Sequence, residues 1–255
     1  MGLSLATAER WVRRWERQQQ RYAVDREERF TVIADVVEDT VAGRRPSGPL
    51  IVDLGCGPGS LAARLARRLP HADIVGVDMD PLLLELARTH HTDAARYVDA
   101  VIGEDGWTHA LRLDRPLDAA VSTTALHYLA PDALHRTYRQ LAALLRPGGV
   151  LVNGDHFPPD DAVLGDLAEC VGRRHAERAH ALAHEDWDAW WKAAAADPEL
   201  TDLLAERRRR QPVAGGHSAV RLSVRAHERL LRQAGFRHAG AVWQYGDSHV
   251  LVAIR

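Results

Sequence analysis

Asp53, Gly55, Gly57, Gly59 and Asp78 are residue types that can hold a nucleoside, and His127 and His156 are types that move a proton near neutral pH. The glycines fall in Leu54-Gly55-Cys56-Gly57-Pro58-Gly59-Ser60, where missing Cβ atoms let the backbone turn sharply and come close to a ligand. Asp78 follows the glycines by about twenty positions, the spacing at which a carboxylate accepts from both hydroxyls of a ribose. A dinucleotide fingerprint, G-x-G-x-x-G/A, needs Gly or Ala at position 60, where this chain has Ser60. The spacing present is G-x-G-x-G, so a single nucleoside is expected ahead of a dinucleotide.

These residues work only if the chain brings them to one end of a sheet. Residues 50–54 are an apolar run broken by Asp53, the pattern of a strand buried on both faces, and Leu61, Leu65 and Leu69 then recur at helical spacing. Strand, glycine loop and helix in that order set free N–H groups beside the carboxyl end of a parallel strand, where open α/β sheets bind ligands. A second strand, 73–77, ends at Asp78, and Asp80-Pro81 reads as an N-cap with proline at the first helical position. Further strands are expected at 96–100, 117–121 and 150–153. His127 follows the fourth of these five, in Ser122-Thr123-Thr124-Ala125-Leu126-His127-Tyr128, and His156 the fifth, in Gly154-Asp155-His156-Phe157. Both histidines should therefore face the ligand crevice.

The flanks read as helical. Residues 5–43 carry Trp11, Trp15 and Tyr22 at spacings that can share a face, with a break near Val24-Asp25 where Asp25 could cap a second helix ended by Gly43, Pro46, Gly48 and Pro49. The plain reading of the aromatic stripe is a helix pair covering one side of the sheet. Residues 158–216 show helical signals and no strand signal, as expected of an insertion over the crevice. The run Arg207 to Arg210 reads as a solvated helix face. A helix at 224–234, capped by Ser223 and stopped by Gly235, precedes a hairpin of 236–243 and 249–254.

Of the 255 residues 46% are hydrophobic, enough for one α/β domain with its own core. A formal net charge of −2 argues against nucleic acid or an anionic membrane as partner, and no apolar run approaches spanning length. With Glu9 and five arginines by position 21 the start of the chain lacks a secretory apolar segment, so a cytoplasmic location is expected. Cys56 and Cys170 form no disulfide framework or zinc pattern. His180 and His184 stand one helical turn apart without a further ligand spaced to complete a metal site.

With Asp53 included, the first motif reads Val52-Asp53-Leu54-Gly55-Cys56-Gly57-Pro58-Gly59, and it resembles the class I S-adenosylmethionine-dependent methyltransferases of small molecules. The resemblance extends from about Trp11 to Ile254 and includes the Leu145-Arg146-Pro147-Gly148-Gly149 turn. It implies an α/β fold: a Rossmann-like, doubly wound, seven-stranded mixed sheet with an antiparallel terminal strand. It also implies N-terminal helices (1–48), a cofactor-binding core (49–157), a helical lid insertion (158–216) that carries substrate specificity, and a C-terminal helix with hairpin (217–255).

By resemblance, S-adenosylmethionine is the cofactor: Asp53 would sit near its methionine ammonium, Gly55, Gly57 and Gly59 along methionine and ribose, and Asp78 with Met79 at the ribose. Thr123 would lie beside the cofactor at the fourth strand's end, and the N-terminal helix with Trp15 and Tyr22 would close over it, Tyr22 being the contact expected. Where the family usually has an Asp for the adenine amino group, this chain has Val101, followed by Ile102. Val101 can only pack on the ring, while Ile102 still offers its backbone N–H.

Methyl transfer to a protonated acceptor atom needs a base, and His127 and His156 are the candidates. His127 could equally pack beside the cofactor with one satisfied hydrogen bond. The expected reaction is methyl transfer to a small molecule, with the accepting atom open among O, N and C. A cyclisation or rearrangement over a retained cofactor, and a nucleoside-binding protein without chemistry, remain as alternatives. A dinucleotide oxidoreductase ranks last. The oligomeric state is not legible.

Overall fold

Leu50, Val52 and Leu54 point to one face of strand β1 (Leu50–Leu54) and Ile51 and Asp53 to the other, and all five are buried. A strand tolerates so continuous an apolar run only when helices cover both faces of its sheet. In the computed structural model, which describes residues 2–42, 48–210 and 221–255, they do. The sheet comprises β1, β2 (Asp73–Asp78), β3 (Arg96–Asp99), β4 (Leu117–Thr123), β5 (Leu145–His156), β6 (His238–Tyr245) and β7 (Ser248–Ile254). Their order is β3-β2-β1-β4-β5-β7-β6. The first five are parallel and β7 runs antiparallel to β5 and β6. After β3 the chain returns to the other side of β1 and continues as β4, so the order reverses between β1 and β4. Crevices form at such a reversal, beyond the carboxyl ends of the strands.

One face of the sheet packs Leu50, Val52 and Leu54 with Trp107 of α5 (Trp107–Ala110), Tyr138 and Leu141 of α6 (Pro131–Leu144) and Leu231 of α10 (Val224–Ala234). The other packs Ile51 with Phe30, Ile33 and Val37 of α2 (Arg26–Val41) and Leu61 and Leu65 of α3 (Ser60–Arg68). Each such side chain taken from water contributes about 1.5–3 kcal/mol before chain entropy is set against it.

A third cluster lies off the sheet. Trp11, Val12 and Trp15 of α1 (Leu5–Gln20) meet Leu82, Leu83 and Leu86 of α4 (Pro81–His90) and Trp190 of α8 (Trp187–Ala195). The insertion contributes α7 (Ala162–Arg178), α8 and α9 (Thr201–Arg210), all helical as expected. The expected stop at Gly43 and Pro46 and the end of the insertion at Gly216 lie outside the described residues.

Local chemistry accounts for the places where elements differ from the reading. Asp25 is the N-cap residue of α2 but makes no capping bond, because its carboxylate is 2.7 Å from His175 Nε2 on α7. β5 starts at Leu145, earlier than Val150, since Leu145 already pairs with Leu117 and residues 146–149 bulge before pairing resumes at Val150 with Ala119. The arginine run is not solvated throughout. Arg207 Nε donates to Asp80 at 2.5 Å and its guanidinium lies over Trp191, while Arg210 Nη1 donates to both Asp99 oxygens at 2.9 and 2.7 Å. These pairs dock α9 against the start of α4 and the end of β3. Among the described residues no helix is long and apolar enough to cross a membrane.

Candidate active site

The glycine loop leaves β1 with Gly55, Gly57 and Gly59 all at positive φ, and Gly59 starts α3 in the left-handed region at +84°. At Gly55 a Cβ would stand 2.3 Å from the Ala125 methyl, so the turn after β4 approaches the loop as closely as only glycine permits. Thr124 takes φ +51° to make that turn, and its N–H donates to Gly154 O at 2.9 Å. Strain of this kind collects where a structure must aim functional groups.

Two acids border the loop. Asp78 Oδ2 accepts from the Gly57 N–H at 2.8 Å and Oδ1 from the Asp80 N–H at 2.9 Å. Burial raises the Asp78 pKa to about 6 against the pull of those N–H groups. Each oxygen keeps a further lone pair for a hydroxyl. Asp53 is 1% exposed and neither of its oxygens has a side-chain or backbone partner of good geometry among the described residues. Burial pushes its pKa to about 7, the Ala62 N–H opposing and the Asp78 charge adding to the shift. A carboxylate held in this way lacks a cation.

α1 covers the loop. Trp15 Cζ2 is 4.0 Å from where a Gly57 Cβ would stand, and Glu16 pairs with Arg26 of α2 and, at 3.3 Å, with Arg64 of α3. The Tyr22 hydroxyl accepts from the Trp187 N–H at 2.9 Å and so joins the N-terminal helices to the lid, while Trp15 is an aromatic over the loop. Met79 sits between Asp78 and Asp80 and is half-buried, as is Thr123 at the end of β4. Val101 is 37% exposed beyond β3, and Ile102 packs against the core.

His127 lies on the short turn Leu126–Tyr128 after β4, its Nδ1 2.9 Å from Asp155 Oδ2 and 3.1 Å from Oδ1. Burial alone would raise the Asp155 pKa. The hydrogen bond and charge of His127, the His156 N–H and the Arg29 charge outweigh it and hold the group below its ordinary value. An ionised Asp155 accepts the Nδ1 proton and leaves the lone pair of His127 on Nε2. Beside His127, Asp155, Phe157 and His227 is a cavity with room for about 10 Å³, a single water. It is too small for an organic substrate, and His127 keeps 28% of its side chain exposed.

His156 is not free in the same way. Its Nε2 is 3.1 Å from Arg29 Nη2 and its Nδ1 3.1 Å from Asp247 Oδ1, so both ring nitrogens are engaged. In this arrangement it links α2 to the turn between β6 and β7. The sequence reading missed Asp155, Arg29 and Asp247 as site residues. Asp155 had a signal: strand alternation from buried Leu151 through Asn153 puts it on the inward face at the end of β5.

A family model described as a methyltransferase domain matches residues 51–149, from β1 through the turn before Val150. The fold also overlays magnesium protoporphyrin IX methyltransferase from Synechocystis with bound S-adenosylhomocysteine. That match covers 96% of this chain and 94% of that one, with a TM-score of 0.55 at 18% identity. Over residues 51–149 the chain is similar to a methyltransferase domain. Trans-aconitate 2-methyltransferase of Streptomyces coelicolor is 34% identical over 173 residues, 65% of this chain and 53% of that protein. The chain therefore spans about half the length of this curated relative. Carboxy-S-adenosyl-L-methionine synthase of Escherichia coli is 25% identical over 211 residues, 82% of this chain and 75% of that protein.

The residues present fit S-adenosylmethionine, the cofactor that the resemblance implies. Asp53 offers an uncompensated buried carboxylate to an ammonium, the loop offers a surface without Cβ atoms, and Asp78 offers lone pairs to ribose hydroxyls. Asp78→Ala is expected to weaken S-adenosylhomocysteine about tenfold to a hundredfold in calorimetry, at roughly 1.5–3 kcal/mol for a charged hydrogen bond. An unchanged affinity would move the ribose elsewhere.

Proposed function

We propose that this chain transfers a methyl group from S-adenosylmethionine to an oxygen or nitrogen of a small molecule, with His127 as base and Asp155 as its orienting partner. The observation that carries the proposal is the 2.9 Å contact between His127 Nδ1 and the buried Asp155 carboxylate, at the sheet end that also holds the glycine loop. When bound, the cofactor supplies an electrophilic methyl group on a sulfonium. Asp53 holds its ammonium, Asp78 its ribose, and Trp15 with the lid helices keeps water out. His127 takes the acceptor's proton on Nε2 while Asp155 stabilises the imidazolium that results.

A second reading is favoured by the similarity to carboxy-S-adenosyl-L-methionine synthase, which covers more of this chain and more of the relative than the match to trans-aconitate 2-methyltransferase. In that reading the pocket alters or retains the cofactor without delivering a methyl group. One experiment separates the two. A metabolite mixture is incubated with the protein and S-adenosylmethionine bearing a labelled methyl group, and all products are read by mass spectrometry. A labelled acceptor together with S-adenosylhomocysteine supports methyl transfer. A modified cofactor, or a rearranged product without label, sinks it in favour of the second reading.

A further inference from the structure

We propose that Arg29, on α2 and outside the cofactor loop, is a positioning residue that holds the Asp155–His127 pair in register by clamping His156. This rests on the reading of His127 as the base. Arg29 is 1% exposed, and its Nη2 lies 3.1 Å from His156 Nε2. A guanidinium has no acceptor, so Arg29 donates and His156 Nε2 accepts. His156 is then a neutral imidazole with its proton on Nδ1, which donates to Asp247 Oδ1 at 3.1 Å. The ring is gripped from α2 on one side and from the turn between β6 and β7 on the other.

The grip reaches the base through one residue of backbone. The His156 N–H donates to Asp155 Oδ1 at 2.8 Å, and that carboxylate receives His127 Nδ1. Holding the His156 ring fixes the peptide that aims the carboxylate. Gly154 lets the clamp close, since a Cβ there would lie 3.1 Å from both Arg29 Cδ and Ile33 Cδ1. The charges agree with the geometry: Arg29 faces Asp155, Asp25 and Asp247, and it helps keep Asp155 ionised. The other groups around the ring are His249 on β7 and Arg221, which acts on Asp247. Arg29 Nε and Nη1 have no partner among the described residues. A buried guanidinium with two idle donors is a poor stabilising device, and its place is explained by what it orients.

Nuclear magnetic resonance of protein carrying nitrogen-15 histidine tests this without any acceptor. His156 should show the Nδ1–H tautomer, and His127 a low-field Nδ1–H signal from its bond to Asp155. Arg29→Met should abolish the His127 signal while S-adenosylhomocysteine affinity stays within about twofold of wild type. Arg29→Lys, which keeps a donor and the charge, should restore it. If Arg29→Met does not fold, His156→Gln should keep the signal, because its amide can accept from Arg29 and donate to Asp247, and His156→Leu should lose it. Persistence of the signal in Arg29→Met, an Nε2–H tautomer at His156, or an affinity that falls in step with the signal would each overturn the proposal. Turnover of His127→Ala bears on the base alone, so failure of that reading is distinguishable from failure of the clamp.

Discussion

His127→Ala lowers turnover at saturating S-adenosylmethionine by about 10²- to 10⁴-fold, the range over which a positioned base acts. The expectation is strong because Asp155 ties Nδ1, leaving Nε2 as the ring nitrogen that can take a proton. His127→Asn keeps a polar side chain but supplies no base, so it should not rescue, and the limb of the pH–rate profile that belongs to the imidazole should vanish in both variants. Assays use the acceptor found by mass spectrometry, at saturating cofactor. A packing role gives the opposite pattern: weaker S-adenosylhomocysteine binding with turnover at saturation nearly intact. A methylated product formed at the wild-type rate by His127→Ala removes the residue from the chemistry.

Asp53→Asn is expected to weaken S-adenosylhomocysteine by about a hundredfold to several thousandfold, the consequence of about 3–5 kcal/mol lost when a buried charge loses its partner. Without ligand, Asp53 is held at a pKa of about 7 and Asp78 at about 6, both above the ordinary carboxylate range. The ammonium needs ionised Asp53 and the ribose hydroxyls donate to ionised Asp78, so affinity is full well above pH 7 and is lost as pH falls through about 7 and then 6. Near neutrality, binding should release protons, seen as a calorimetric heat that changes with the buffer's ionisation enthalpy.

Stability of the unliganded protein has the opposite sign. Between the unfolded carboxylate pKa near 3.8 and the raised values, the folded state binds more protons than the unfolded one, so stability falls as pH rises through that window. Asp53→Asn should thus make the unliganded protein more stable at pH 8, by about 1–3 kcal/mol, while it loses the ligand. A variant that binds as well as wild type, or an affinity that does not change between pH 8 and pH 6, would refute the assignment of Asp53.

The parts of the site that the sequence made legible are those in which one residue type answers one local demand. Gly55 must let Ala125 approach, Asp78 must end β2 beside the loop, and Asp80-Pro81 must start α4, whose Leu82 and Leu83 N–H groups Asp80 accepts. Pairings between distant segments were not legible. Tyr22 and Trp15 share a helical stretch, yet Trp15 reaches both the loop and the lid whereas Tyr22 bonds to the lid, and spacing does not say which. His127 and His156 have similar settings in the sequence. They differ in the structure because Asp155 takes one nitrogen of the first, whereas Arg29 and Asp247, 127 and 91 positions away, take both nitrogens of the second. Asp25 was legible as a cap but not as a partner for His175, which lies 150 positions on.

The ring cluster at the junction of α1 and α8 also governs what light reports about this molecule. Five of the seven tryptophans, Trp11, Trp15, Trp187, Trp190 and Trp191, sit there with centroids 4.8 to 5.6 Å apart. Intrinsic emission is thus weighted toward the contact between the N-terminal helices and the lid, and only weakly toward the sheet. Mild denaturant that parts α1 from α8 should redden the fluorescence before far-ultraviolet circular dichroism registers loss of the strands, and coincident curves would show that cap and sheet melt as one unit.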